Sequence, residues 1–131
     1  MPLSENAQSV INQGNELLPA KRASSSYDLQ EKAATLLLIT AKLAQERRVL
    51  EGLLLRASSV EKAIFAQTFS ASTVKTVAEK QLQTEADFDV LLKHEETGDI
   101  KKDIAYVSAM VDIFTNGHIL YRNIMKEENK V

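Results

Sequence analysis

The chain has 131 residues, a net charge of −2, and hydrophobic and aromatic fractions of 44% and 5%. That size supports one domain with one real core, here built from Ala, Leu, Ile and Val, which suits closely packed helices better than packed sheets. The slightly acidic balance lacks the clustered Lys and Arg that nucleic-acid phosphates require, and the absence of cysteine excludes disulfides, thiolate nucleophiles and Cys-based zinc sites.

The start, Met1-Pro2-Leu3-Ser4-Glu5, has no basic and apolar leader pattern, and the longest apolar stretch, Ala33 to Leu43, is interrupted by Thr and Lys and too short to span a bilayer. The expected location is therefore the cytoplasm, with no membrane contact. Pro2 and Pro19 are the only prolines, so nothing after Pro19 forbids a helix on that ground.

A first helix is predicted over about residues 4–18. Ser4 caps it, Leu3, Ala7, Val10, Gly14 and Leu17 mark one face, and Pro19 ends it. Ser24-Ser25-Ser26 reads as a linker, so that residues 1–25 form an N-terminal helix and linker able to move within a single domain spanning 1–131. A second helix follows over about 27–57, with Leu29, Ala33, Leu36, Thr40, Leu43, Arg47, Leu50, Leu54 and Ala57 at alternating steps of four and three. Ser58-Ser59-Val60-Glu61 has the form of a capping box and predicts a tight turn, the alternative being one unbroken helix.

The third segment covers about 59–95; Val60, Ala63, Ile64, Ala71, Val74, Ala78, Leu82 and Ala86 trace its face, with Phe88, Leu91 and Leu92 near the end. Ser and Thr crowd its middle at Thr68, Ser70, Ser72, Thr73 and Thr76, which predicts a kink or break near Ser70 to Ser72. Thr97-Gly98-Asp99 reads as the next boundary, with Gly98 closing one helix and Asp99 capping the next. The last helix, to about Glu127, carries the strongest pattern in the chain. Ile100, Ile104, Val107, Val111, Phe114, His118, Tyr121 and Met125 form one stripe, and Tyr106, Met110, Ile113, Gly117, Leu120 and Ile124 form a second beside it. Such a face is too apolar for water and must be covered by other helices. Gly117 within it is read as a point of close helix approach. The expected fold is all-α, an elongated up-down bundle of three long helices plus a short N-terminal one.

The two histidines are the first candidates for chemistry. His94 is followed by Glu95 and Glu96, whereas phosphotransfer domains resemble a pattern in which lysine and then glycine follow the reactive histidine. Two carboxylates beside a phosphohistidine oppose the added charge, so His94 reads as a solvated residue near a helix C-terminus. His118 lies on the apolar seam and reads as a core-edge histidine with one hydrogen-bond partner. Glu-x-x-His, which a di-iron carboxylate bundle needs, is missing, since Leu91 and Thr115 stand three residues before the histidines. There is no glycine-rich phosphate loop and no nucleophile elbow. Neighbouring acids such as Asp87/Asp89 and Glu95/Glu96 diverge on a helix and read as wet faces. No catalytic residue, metal ligand or cofactor is expected.

Displaced hydrophobes carry more information. Phe65 and Phe69 stand one turn apart, beside rather than on the stripe of their segment, and Val49 and Leu55 are similarly placed on the segment before. A turn at Ser58-Ser59 would gather all four at one end of a helical hairpin, as a partner-binding patch. The expected function is that of a non-enzymatic protein-binding module, a small chaperone or adaptor that shields a partner helix. The small, acidic, cysteine-free, helical character looks like that of bacterial secretion-type chaperones, a likeness of class that carries over no residue. The alternative is a self-assembling structural subunit (a dimer, a filament or part of a phage particle), and a histidine phosphotransfer domain stands third.

Overall fold

The computed structural model describes residues 3–18 and 26–128, and every regular element among them is a helix. In chain order they are α1 (Glu5–Leu17), α2 (Ser26–Ala71), α3 (Val77–Glu85) and α4 (Phe88–Glu128). The helices are thus two long and two short, rather than three long and one short.

The start of α1 forms as its sequence dictates. Ser4 Oγ accepts the Ala7 amide at 3.1 Å, and Glu5 adds a negative charge at the positive end of the helix. The helix stops at Leu17, with Leu18 extended beyond it. Pro19 and the Ser24-Ser25 stretch lie outside the described residues, as does the tail from Asn129.

The turn expected at Ser58-Ser59 is absent, and α2 passes through it unbroken. Ser59 Oγ donates to the Leu55 carbonyl at 3.1 Å, so the hydroxyl is satisfied by its own helix and caps nothing. The boundary expected at Thr97-Gly98-Asp99 is absent too. Thr97 Oγ1 donates to the Lys93 carbonyl at 3.0 Å, and no described glycine has positive φ, so Gly98 is an ordinary helical residue. The chain does break after Ala71, next to Ser72, as the crowding of Ser and Thr predicts. There Thr76 caps α3, its Oγ1 accepting the Glu79 amide at 3.1 Å. A second break falls at Ala86-Asp87, where Asp87 Oδ1 accepts the amides of Asp89 at 3.0 Å and Val90 at 3.2 Å and opens α4.

The residues fall into two compact units. One is the mid-chain unit, Val49–Ile104, and the other is the terminal unit, formed by the described parts of Pro2–Arg48 and Ala105–Val131.

The terminal unit has a dense core. Ala7, Val10 and Ile11 of α1 are buried, as are Leu29, Ala33, Leu36, Ile39 and Leu43 of α2 and Val107, Met110, Phe114 and Tyr121 of α4. The first stripe of the last helix therefore faces inward, its members alternating between buried and half-buried. The second stripe divides. Met110 and Gly117 are buried, but Tyr106, Ile113 and Leu120 stay exposed, so this face is narrower than the two stripes together imply. Two glycines set close approaches. A Cβ at Gly14 would run into the Phe114 ring, and one at Gly117 would lie 2.9 Å from Leu18 Cδ2. Polar groups add direction: Tyr121 Oη donates to the Leu17 carbonyl at 2.6 Å, and His118 Nδ1 donates to the Ala33 carbonyl at 2.7 Å. His118 is thus the core-edge histidine that its place on the seam predicts.

In the mid-chain unit the buried residues are Val90 and Ile100, with the threonines Thr84 and Thr97. Both threonine hydroxyls bond back to their own helices, Thr84 Oγ1 to the Lys80 carbonyl at 2.7 Å and Thr97 Oγ1 to that of Lys93, so burial leaves neither unsatisfied.

Candidate functional site

The four residues expected to form a partner patch all lie on α2 in the mid-chain unit. With no turn between them they do not gather. Val49 and Phe69 are about 30 Å apart along a continuous helix, at 1.5 Å per residue. Val49 and Leu55 face solvent, 56% and 74% exposed, while Phe65 and Phe69 are half-buried. The two rings stack with centroids 6.4 Å apart and planes 16° from parallel, and Lys80 Nζ of α3 stands 5.8 Å from the Phe69 centroid. A short helix therefore partly covers the phenylalanines.

Phe65 also lines a cleft of about 390 Å³ together with Glu61, Glu85, Val90, Leu91 and His94. Across it His94 Nδ1 donates to Glu61 Oε1 at 2.7 Å, tying α4 to α2. Opposing influences act on the Glu61 carboxyl. Burial pushes its pKa up, but hydrogen bonds from His94 and Thr97, and the positive charges of His94 and Lys101, pull it below the usual 4.5. His94 itself lies in the second turn of α4, since that helix begins at Phe88 and not beyond Gly98. The expected placement near a helix C-terminus is corrected accordingly, and Glu61 supplies the negative partner that a helix end would have supplied.

Beside the cleft, Phe88, Leu91 and Leu92 project from the first turns of α4, 75%, 52% and 40% exposed. Steps of three and four place them on one face. Val77 and Leu82 of α3 are exposed as well. Sequence reasoning missed this cluster as a surface because it placed these residues near the end of a helix, inside its stripe. Asp87 was the available signal: an acid that can cap, two residues before a second acid, marks a helix start and turns Phe88-Asp-Val-Leu-Leu into a first turn.

No group of three or more His, Asp or Glu side chains among the described residues is placed to hold a metal ion, and no helix among them is long and apolar enough to cross a membrane. No protein-family model, curated protein or solved structure matches the chain.

Proposed function

We propose that this chain is a non-enzymatic helical protein-binding module, a small chaperone or adaptor that acts by shielding apolar helical surface of a partner. One observation carries the reading. In the mid-chain unit the large apolar side chains at the surface, Val49, Leu55, Val60, Val77, Leu82, Phe88, Leu91 and Leu92, outnumber the buried pair Val90 and Ile100. Phe88, Leu91 and Leu92 share one face of the first turns of α4, and apolar surface gathered in this way marks docking sites. Phe88 and Leu91 supply large side chains of the kind that anchor such interfaces, and Leu91 lines a cleft with the apolar Phe65 and Val90 and the polar Glu61, Glu85 and His94.

The proposal takes the chain as one domain working in the cytoplasm, with an up-down order of helices. The pairings within the terminal unit are in keeping with that order. Ser4 and Asn6 meet Glu46, so α1 runs against α2, whereas Gly14 meets Phe114 and Leu17 meets Tyr121, so α1 runs along α4.

Side-chain footprinting of the chain in complex with its native partner tests the reading. Protection of Leu82, Phe88 and Leu91 is expected, and a complex that leaves all three as reactive as in the free chain contradicts it. A second reading, self-assembly, is favoured by the seven-residue spacing of the exposed Tyr106, Ile113 and Leu120 on α4, the repeat of a coiled-coil seam. Light scattering separates the two: a mass that does not grow with concentration supports the adaptor, and steady growth supports the assembling subunit.

A further inference from the structure

The exposed apolar face at the start of α4 does not stand among balanced charges. Over residues 85–96 the chain carries five carboxylates, Glu85, Asp87, Asp89, Glu95 and Glu96, against one lysine, and that lysine, Lys93, is paired with Glu96 at 3.2 Å. The whole chain has a net charge of only −2, so this stretch is far more acidic than the rest. Helical spacing sets the acids around the apolar face. Glu95 follows Leu91 and Leu92 by one turn and extends their face, while Asp89 stands three residues before Leu92 and Glu96 four after it. On the other side, Leu91 lines the cleft of about 390 Å³ together with Glu61 and Glu85. Asp87 is taken up in capping α4, but Glu85, Asp89, Glu95 and Glu96 are exposed.

We infer that the partner is a basic amphipathic protein segment, its apolar side chains seated on Phe88, Leu91 and Leu92 and its Lys or Arg side chains opposite the surrounding carboxylates. Whatever covers the apolar face brings its own rim against those acids. A basic rim is complementary to them, whereas an acidic surface or a nucleic-acid backbone meets like charge. The cleft takes one of the partner's cations. Phe65, Val90 and Leu91 line it and can cover the aliphatic stem of a Lys or Arg, the Phe65 ring offers a face to the cationic head, and Glu61 and Glu85 offer carboxylate oxygens. The bond of 2.7 Å from His94 does not exhaust Glu61, since a carboxylate accepts about four hydrogen bonds. Burial raises the pKa of Glu61, yet the bonds and charges around it hold the value below 4.5, so the carboxylate is charged at neutral pH.

The inference rests on the protein-binding reading but can fail apart from it. The probes are three labelled amphipathic peptides that share one Leu stripe and carry Lys, Gln or Glu at every polar position, each titrated onto the full chain. The Lys peptide is expected to bind about tenfold or more tightly than the Gln peptide, and the Glu peptide more weakly than either. Glu85→Gln with Glu95→Gln, both at exposed positions, should weaken the Lys peptide by about fivefold or more and leave the Gln peptide unchanged. Phe88→Ser with Leu91→Ser should weaken both peptides. Equal binding of the Lys and Glu peptides, or a Lys peptide indifferent to either double variant, overturns the inference. Peptides that bind alike whatever their charge, and are lost with Phe88→Ser and Leu91→Ser, leave the docking surface standing without its basic partner. A parent chain that binds none of the three overturns both. Should a double variant not fold, salt on the parent decides: weakening of the Lys peptide by about tenfold between about 50 and 500 mM supports the inference, and unchanged binding overturns it.

Discussion

At Gly14 and Gly98 the same residue type serves opposite ends, and the difference is measurable. Gly14 gives way to the Phe114 ring, so Gly14→Ala must displace a fully buried aromatic and should cost about 1–3 kcal/mol by overpacking. Gly98 meets nothing within 4 Å of an added Cβ and has helical backbone, so Gly98→Ala should stabilise by about 0.5–1 kcal/mol. Denaturant melts of the two variants read both signs directly, and a loss of stability for Gly98→Ala would restore the boundary once expected there. Tyr121 is the other residue on which the terminal unit turns. Burial pushes its pKa above 10.0, the nearby Asp28 adds to this, and Lys32 opposes it. The neutral phenol is therefore favoured by folding. Its contribution is complete below pH 10 and is lost as pH rises from there through the folded value. Tyr121→Phe should cost about 1–2 kcal/mol at neutral pH, since it leaves the Leu17 carbonyl unpaired, and should flatten the decline in melting temperature above pH 10. Glu61 has the opposite sign. Its lowered pKa gives stability above pH 4.5 that disappears as pH falls through the folded value, so Glu61→Gln should lessen the fall in melting temperature between pH 5 and pH 3.

The helices show which signals a sequence makes legible. Long-range periodicity does so in α4: Ile100, Val107, Phe114 and Tyr121 recur every seventh residue and all are buried, and Gly117 allows the expected close approach, its neighbours being Leu18 and Leu36. Short capping motifs are weaker, because one side chain can act in two ways. Within the two expected boundaries, Ser59 and Thr97 each bond to the carbonyl four residues back in an uninterrupted helix. Asp87 cannot bond back in that way, and it is the cap that opens α4. The candidate site was less legible than the fold. Its four expected residues all fall on α2, but their gathering depended on a turn that does not form. The surface of Phe88, Leu91 and Leu92 depended on a helix start that periodicity alone does not mark, since an apolar residue reads the same at the beginning of a helix as near its end.

Taken as a whole, the molecule uses its apolar residues in two ways. The terminal unit buries them, with Phe114 and Tyr121 sealed beneath α1, and Phe114→Ala should cost about 3–5 kcal/mol. The mid-chain unit keeps much of its apolar surface in water, and the account rests on the idea that this surface is covered by another protein. The most direct test is a variant carrying Phe88→Ser and Leu91→Ser, compared with the parent in melting temperature and in the amount of native partner that copurifies. Both side chains lie more than half in solvent, so the variant is expected to melt within about 2 °C of the parent, in line with the small effect of surface substitutions, and to lose most of the bound partner. A variant that melts far lower, or that retains its partner in full, would contradict it.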